Sequence, residues 1–173
     1  VTDLIMPGMN GQKLAEALRL EPNNAFYHFK MAELLRASGY PSQALQAIQQ
    51  AVFHAPEEAI YHYWMGDLLI HLCRHEEALG ALRAAIELSL GDDLFFARAA
   101  VAFWAVGRPT EAVKSIRLAS DLDPDKNHYY ALLERFLRAQ GLLEEAALEM
   151  PKVALMDNYD RDLLARALRE AGL

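Results

Sequence analysis

A period of 34 residues runs through this chain and constrains its fold more than any other feature. Pro22, Pro56 and Pro124 stand one and two periods apart, and Leu90, followed by the helix-breaking Gly91, fills the vacant place. Gly39, Gly107 and Gly141 hold a second phase, with Cys73 in the gap. Ala44, Ala78, Ala112 and Ala146 hold a third without interruption. Ala51, Ala85 and Ala119 form a fourth, closed by Val153, and Ala32, Gly66 and Ala100 a fifth, broken by Glu134. Ala, Leu and Glu dominate the composition and β-branched residues are sparse, so the repeating unit is helical.

The turn of each unit is readable. The segments starting at Gly39, Cys73, Gly107 and Gly141 each pair a small residue with the start of a second helix rich in polar or acidic residues. Pro41 and Pro109 fit the first turn of that second helix, where a missing N–H costs nothing. Small residues at the eighth and twentieth places, Ala at the twenty-seventh and Pro near the end resemble the tetratricopeptide repeat (TPR) family. The resemblance implies an all-α, right-handed α-solenoid of helix-turn-helix repeats at 25–58, 59–92, 93–126 and 127–160, within an array spanning 20–158. The small eighth and twentieth residues let the two helices of a repeat approach, and the twenty-seventh lets the next repeat stack.

The fourth repeat departs from this pattern. Glu134 replaces a small residue, and Pro151 falls inside the second helix, where a proline costs about 3 kcal/mol or more. A break or kink near Glu149–Pro151 is expected. The stretch 159–173 puts Leu163, Leu164, Ala167 and Leu168 on one face behind Asp157 or Asn158 as a cap, and reads as a terminal capping helix.

Residues 1–19 differ from the rest. Asp3, Met6, Pro7, Gly8 and Gly11 resemble the middle of a response-regulator receiver domain, in which Asp3 takes the place of the phosphoacceptor. The acidic pair that holds Mg²⁺ and the later Thr/Ser and Lys of that family cannot be placed, so Asp3 is expected to be a poor acceptor in this chain. Val at position 1 suggests a processed, truncated or partial chain.

Composition excludes several classes. A net charge of −7 argues against nucleic acid as a partner. A single cysteine excludes a disulfide framework and fits a reducing, cytoplasmic setting. No apolar run is long enough to insert in a membrane; the nearest, Leu94 to Gly107, is short and carries Arg98. No nucleophile elbow, phosphate-binding loop or metalloprotease motif appears, so no enzyme and no cofactor is expected. His71, Cys73 and His75 cluster, but the repeat register puts them at the inter-helix turn, so they read as surface residues rather than a metal site, and Cys73 as a small packing residue.

The resemblance puts function on the concave face, lined by first helices. Its expected lining is Phe26, Phe29, Glu33 and Arg36 in the first repeat, Ile60, Tyr63, Asp67 and His71 in the second, Val101 and Trp104 in the third, and Arg135 and Arg138 in the fourth. Ile70, Leu94, Ala97, His128 and Ala131 complete it. Phe26 and Trp104 read equally well as core, because aromatic stripes at helical spacing usually are. Arg135 and Arg138 read equally well as surface partners of Glu134 or Asp162. Family members that clamp a C-terminal carboxylate use Lys and Asn at the fifth and ninth places; Phe29, Tyr63, Ala97 and Ala131, then Glu33, Asp67, Val101 and Arg135, stand there instead. The expected partner is a peptide or helix with apolar anchors near Phe29, Tyr63 and Trp104 and an acidic end near Arg135 and Arg138. Two alternatives stand beside it: the output or docking module of a two-component response regulator, and a self-associating structural repeat protein.

Overall fold

The computed structural model describes residues 11–173. Asp3, Met6, Pro7 and Gly8 lie outside the described residues. The described chain forms ten α-helices and no strand. Helix α1 spans Gly11–Leu20, α2 Ala25–Ala37, α3 Pro41–His54, α4 Ala59–His71 and α5 His75–Leu88. They continue as α6 Asp93–Ala105, α7 Pro109–Leu122, α8 Asn127–Ala139, α9 Leu143–Val153 and α10 Asn158–Ala171. Four hairpins result, α2–α3 to α8–α9, and α3, α5 and α7 pack on the first helix of the next repeat.

Local chemistry fixes the hairpins. Pro41 and Pro109 do stand in the first turn of α3 and α7. Asn24 caps α2 by accepting from the Tyr27 N–H, and Asp92 caps α6 by accepting from the Leu94 N–H. Each first helix ends on a left-handed residue: Gly39, Cys73, Gly107 and Gly141 have φ of 82°, 58°, 74° and 78°. The next residue's N–H then reaches back over the turn, as from Tyr40 to the Leu35 carbonyl and from Arg74 to the Leu69 carbonyl. This corrects the packing reading of Cys73. Its side chain is exposed, and the position demands a backbone angle, not a small volume.

The twentieth- and twenty-seventh-place alanines are fully buried in three repeats, and the helices meet across them. At the eighth place the clearance depends on the facing residue. A Cβ added to Gly66 would lie 2.6 Å from the Leu82 side chain, whereas Ala32 and Ala100 stand in repeats that carry Ile48 and Ile116 instead.

Repeat four resolves its two anomalies differently. Helix α9 continues through Pro151 and ends two residues later at Val153, so it has 11 residues where α3 has 14. Glu134 is buried and takes the place where the other repeats keep a small residue. Met150, one period after the fully buried Ile48, Leu82 and Ile116, is 44% exposed. At the other end, Leu14 and Ala17 of α1 pack on α2 against Tyr27, Met31 and Leu34, as a second helix packs on the repeat that follows.

Candidate functional site

The first helices α2, α4, α6 and α8 present one face each to a shared concave surface. Helix α10 lies on that surface. The sequence reads 159–173 as a terminal capping helix without fixing its seat; α10 packs on α8 and α6, and Met150 of α9 stays exposed. Its first turn meets the first turn of α8 through Asp160 and His128 Nδ1, 2.9 Å apart. Leu168 and Leu173 lie near Arg138 and Ala139 at the far end of α8, so the two helices run the same way.

Sequence explains both the helix and its seat. Asp157 and Asp160 form a capping box at its start, and Gly172, left-handed at φ 80°, ends it. Leu163, Leu164, Ala167, Leu168 and Ala171 make one apolar stripe; the first four are half-buried and Ala171 is buried. A stripe of that kind must be covered, and the concave face covers it.

An ion-pair network pins the far half. Asp67 of α4 is 3% exposed. Its carboxylate lies 2.9 Å from Arg36 of α2, 2.7 Å from Arg98 of α6 and 2.9 Å from Arg166 of α10. Arg98, its side chain 12% exposed, also reaches Glu170 of α10 at 2.7 Å, and Glu170 closes the ring to Arg166 at 3.0 Å. Burial alone would push the Asp67 carboxyl up, but Arg98, Arg166 and Arg36 together outweigh it and hold the group below the usual carboxylate range. Beside it, burial and the Asp67 charge push the Tyr63 phenol up to about 12. Four elements thus converge on one buried charge. Removing any one leaves the others under-satisfied.

Aromatic residues line the N-terminal half. Phe29 packs against Tyr61 and Trp64 at ring-centroid distances of 5.2 and 5.4 Å, and Phe26 lies beside it at 6.5 Å. Arg36 covers the Trp64 ring at 4.9 Å, and Lys30 sits 5.2 Å from the Phe29 ring. Phe26, Phe29, Glu33 and Arg36 are all half-buried, and Glu33 pairs with Lys30 at 2.6 Å. Ile60 and His71 are exposed at the two ends of α4.

Several expected groove residues have other partners. Trp104 stacks flat on Phe136, with centroids 4.3 Å apart, and is half-buried. Val101 is buried. Arg135 and Arg138 are exposed, and both turn to the buried Glu134, at 3.6 and 2.6 Å. Of the two readings open in the sequence, the pairing with Glu134 is the one these side chains make, and it leaves one positive charge in excess. Three residues that the sequence reading did not single out complete the site: Arg98, Arg166 and Glu170. The signal for Arg98 was present, since it is the one charge in the apolar run Leu94 to Gly107. Arg166 meets Asp67 across 99 positions of sequence, and no local pattern announces that.

Between α10 and the concave face lies a cleft of about 680 Å³, lined by Tyr63, Leu94, Ala97, Val101, Leu132, Leu163, Leu164 and Ala167 among others. Its rim is polar. Tyr129 donates to Asp93, which also pairs with Lys126. Among the described residues, no group of three His, Cys, Asp or Glu could hold a metal ion, and no helix is long and apolar enough to cross a membrane.

The tetratricopeptide repeat family matches residues 29–93. No curated protein matches the chain. Among solved structures, MamA aligns with a TM-score of 0.79 at 18% identity, covering 90% of this chain and 88% of that one. MamA from Desulfovibrio magneticus RS-1 aligns with a TM-score of 0.79 at 20% identity, over 90% of this chain and 84% of that one. YrrB, described as a TPR protein with an unusual peptide-binding site, aligns with a TM-score of 0.72 at 18% identity, over 92% and 80%. The chain therefore has the fold of a tetratricopeptide-repeat solenoid, with that family's sequence pattern carried by residues 29–93.

Proposed function

We propose that the protein is a protein-recognition scaffold whose concave face holds a helical segment. The observation that carries this is α10 itself. The face already accommodates an amphipathic helix, through an apolar stripe and two ion-pair contacts, Arg166 to Asp67 and Glu170 to Arg98. The resemblance to YrrB, described as having a peptide-binding site, supports the same reading. A photo-crosslinking residue at Ile60, exposed on the concave side, tests it against one at Leu118, exposed on α7. A partner protein should crosslink from Ile60 and not from Leu118. Crosslinking from Leu118 alone, or equally from both, would refute groove recognition.

A second reading is self-association in a cytoplasmic setting, favoured by the uncovered end of repeat four, where Met150, Leu148 and Leu155 are exposed. A mass by light scattering that rises with concentration, and that Met150→Glu abolishes, is its expected signature. The reading as output module of a two-component response regulator, with Asp3 as phosphoacceptor in a complete parent, is supported by Asp3, Met6, Pro7, Gly8 and Gly11 alone. An upstream coding sequence with an acidic pair before a strand would support it.

A further inference from the structure

We infer that α10 is a displaceable internal competitor, and that the groove's partner is an amphipathic helix carrying α10's own pattern with larger side chains. This rests on the groove reading above. The pattern is an apolar pair followed at the third and seventh places by Arg and then Glu, as in Leu163, Arg166 and Glu170.

Three observations carry it. First, the contact is matched in charge but sterically loose. The charges of Arg166 and Glu170 are matched by Asp67 and Arg98, yet the apolar stripe leaves a cleft of about 680 Å³ beneath it. The cleft opens to solvent at its polar rim, and its apolar lining forgoes the dispersion contacts that a bulkier ligand side chain would make there. A helix with a bulkier residue where α10 has Ala167 would keep the ionic contacts and occupy part of the cleft.

Second, α10 hangs on a short connector, Ala154 to Asp157, and has no extensive packing on α9. Its hold on the rest of the protein is the groove contact alone. Third, the chain has a second seat for it. No later helix packs extensively on α9 as α4, α6 and α8 pack on α3, α5 and α7, and Leu148, Met150 and Leu155 at this end are exposed. An apolar stripe leaving the groove can cover that surface, which lowers the cost of release.

The probe is a fluorescein-labelled synthetic peptide of residues 158–173, read by anisotropy against the full chain. The unmodified chain is compared with an Arg166→Glu/Glu170→Arg variant. In that variant α10 opposes Asp67 with an acid and Arg98 with a base, while the groove is intact. Circular dichroism should show unchanged helicity. The variant should bind the peptide about tenfold or more tightly than the unmodified chain, since its groove is open for a larger fraction of the time. A peptide carrying Ala167→Met should bind the variant more tightly still. A peptide with the same two charge swaps should lose binding.

Equal affinity for the two chains would overturn the inference, as would indifference to the peptide's charge swap. Should the variant fold poorly, hydrogen exchange on the unmodified chain decides. Excess Ala167→Met peptide should accelerate exchange of the α10 amides, and unchanged protection would refute displacement. If a partner still crosslinks at Ile60 while these peptides fail to bind, the groove reading stands and the competitor reading falls. If nothing crosslinks there either, both fall.

Discussion

Asp67→Asn isolates the charge on which the site is assembled. The substitution preserves shape and one hydrogen-bond acceptor, but removes the negative charge that Arg36, Arg98 and Arg166 surround at 2.7–2.9 Å. Stripping one partner from a buried ion pair costs about 3–5 kcal/mol when the survivor cannot reach water. Here Arg36 and Arg166 are half-buried and can turn outward, whereas Arg98 is 12% exposed and keeps Glu170 at 2.7 Å. The cost therefore falls at the lower end, about 3 kcal/mol. For a chain of this length that corresponds to a fall in Tm of about 6–12 °C. Thermal and guanidinium denaturation followed by circular dichroism give the total, and hydrogen exchange locates it. Protection should drop most in α10, which loses its deepest anchor. A loss below about 1 kcal/mol with α10 protection unchanged would refute the reasoning. It would mean that the network decorates the groove without holding it together.

Acid should act through the same group. The Asp67 pKa is lowered in the folded chain, so its stabilisation is present above the unfolded value of about 3.9 and is lost as pH falls below that. Stability titrated from pH 6 to 2 should fall less steeply below pH 4 in Asp67→Asn than in the unmodified chain. Gly66→Ala should cost about 1 kcal/mol in denaturant unfolding, because its Cβ would enter contact with Leu82 at 2.6 Å. Adding Leu82→Ile, the residue type that faces Ala32 and Ala100, should recover most of the loss. Cys73→Gly should stabilise by about 1 kcal/mol, since φ of 58° strains any residue with a Cβ.

The period predicts the helices, their turns and their core alanines because each depends on neighbours within one or two repeats. Gly39, Pro41 and Ala44 speak for a turn, a helix start and a close contact in six residues. The same local grammar misplaced the reason for Cys73, since a shared phase reveals that a position is constrained without revealing whether volume or backbone angle constrains it. The concave lining was readable where the repeat geometry is regular: Tyr63, Asp67 and Val101 do lie toward α10 or the helices beneath it. The seat of α10 was not. Leu163, Leu164, Ala167 and Leu168 make a stripe that suits the groove and the end of the array equally well. The choice is made by Arg166 and Glu170 finding Asp67 and Arg98, distant in sequence. For Arg135 and Arg138 the sequence left a basic groove end and a pairing with Glu134 open, and the side chains make the pairing with the buried Glu134.

The connector between α9 and α10 is four residues, Ala154 to Asp157, and its brevity has a consequence for what can ever enter the groove. A helix on so short a tether faces its seat at a local concentration of order millimolar. A free partner at about a micromolar concentration, making the same contacts, would hold the groove roughly one time in a thousand. To compete evenly it needs about 4 kcal/mol more than α10 has. At about 25 cal/mol per Å² that is roughly 160 Å² of extra apolar burial, close to one aromatic side chain. Such area lies in the N-terminal half, beside Phe26, Phe29 and Trp64, beyond the helices on which α10 packs. The tether thus acts as an affinity threshold: a free helix at micromolar concentration gains the groove only by burying more apolar area than α10 does, in the cleft beside Ala167 or on toward α2.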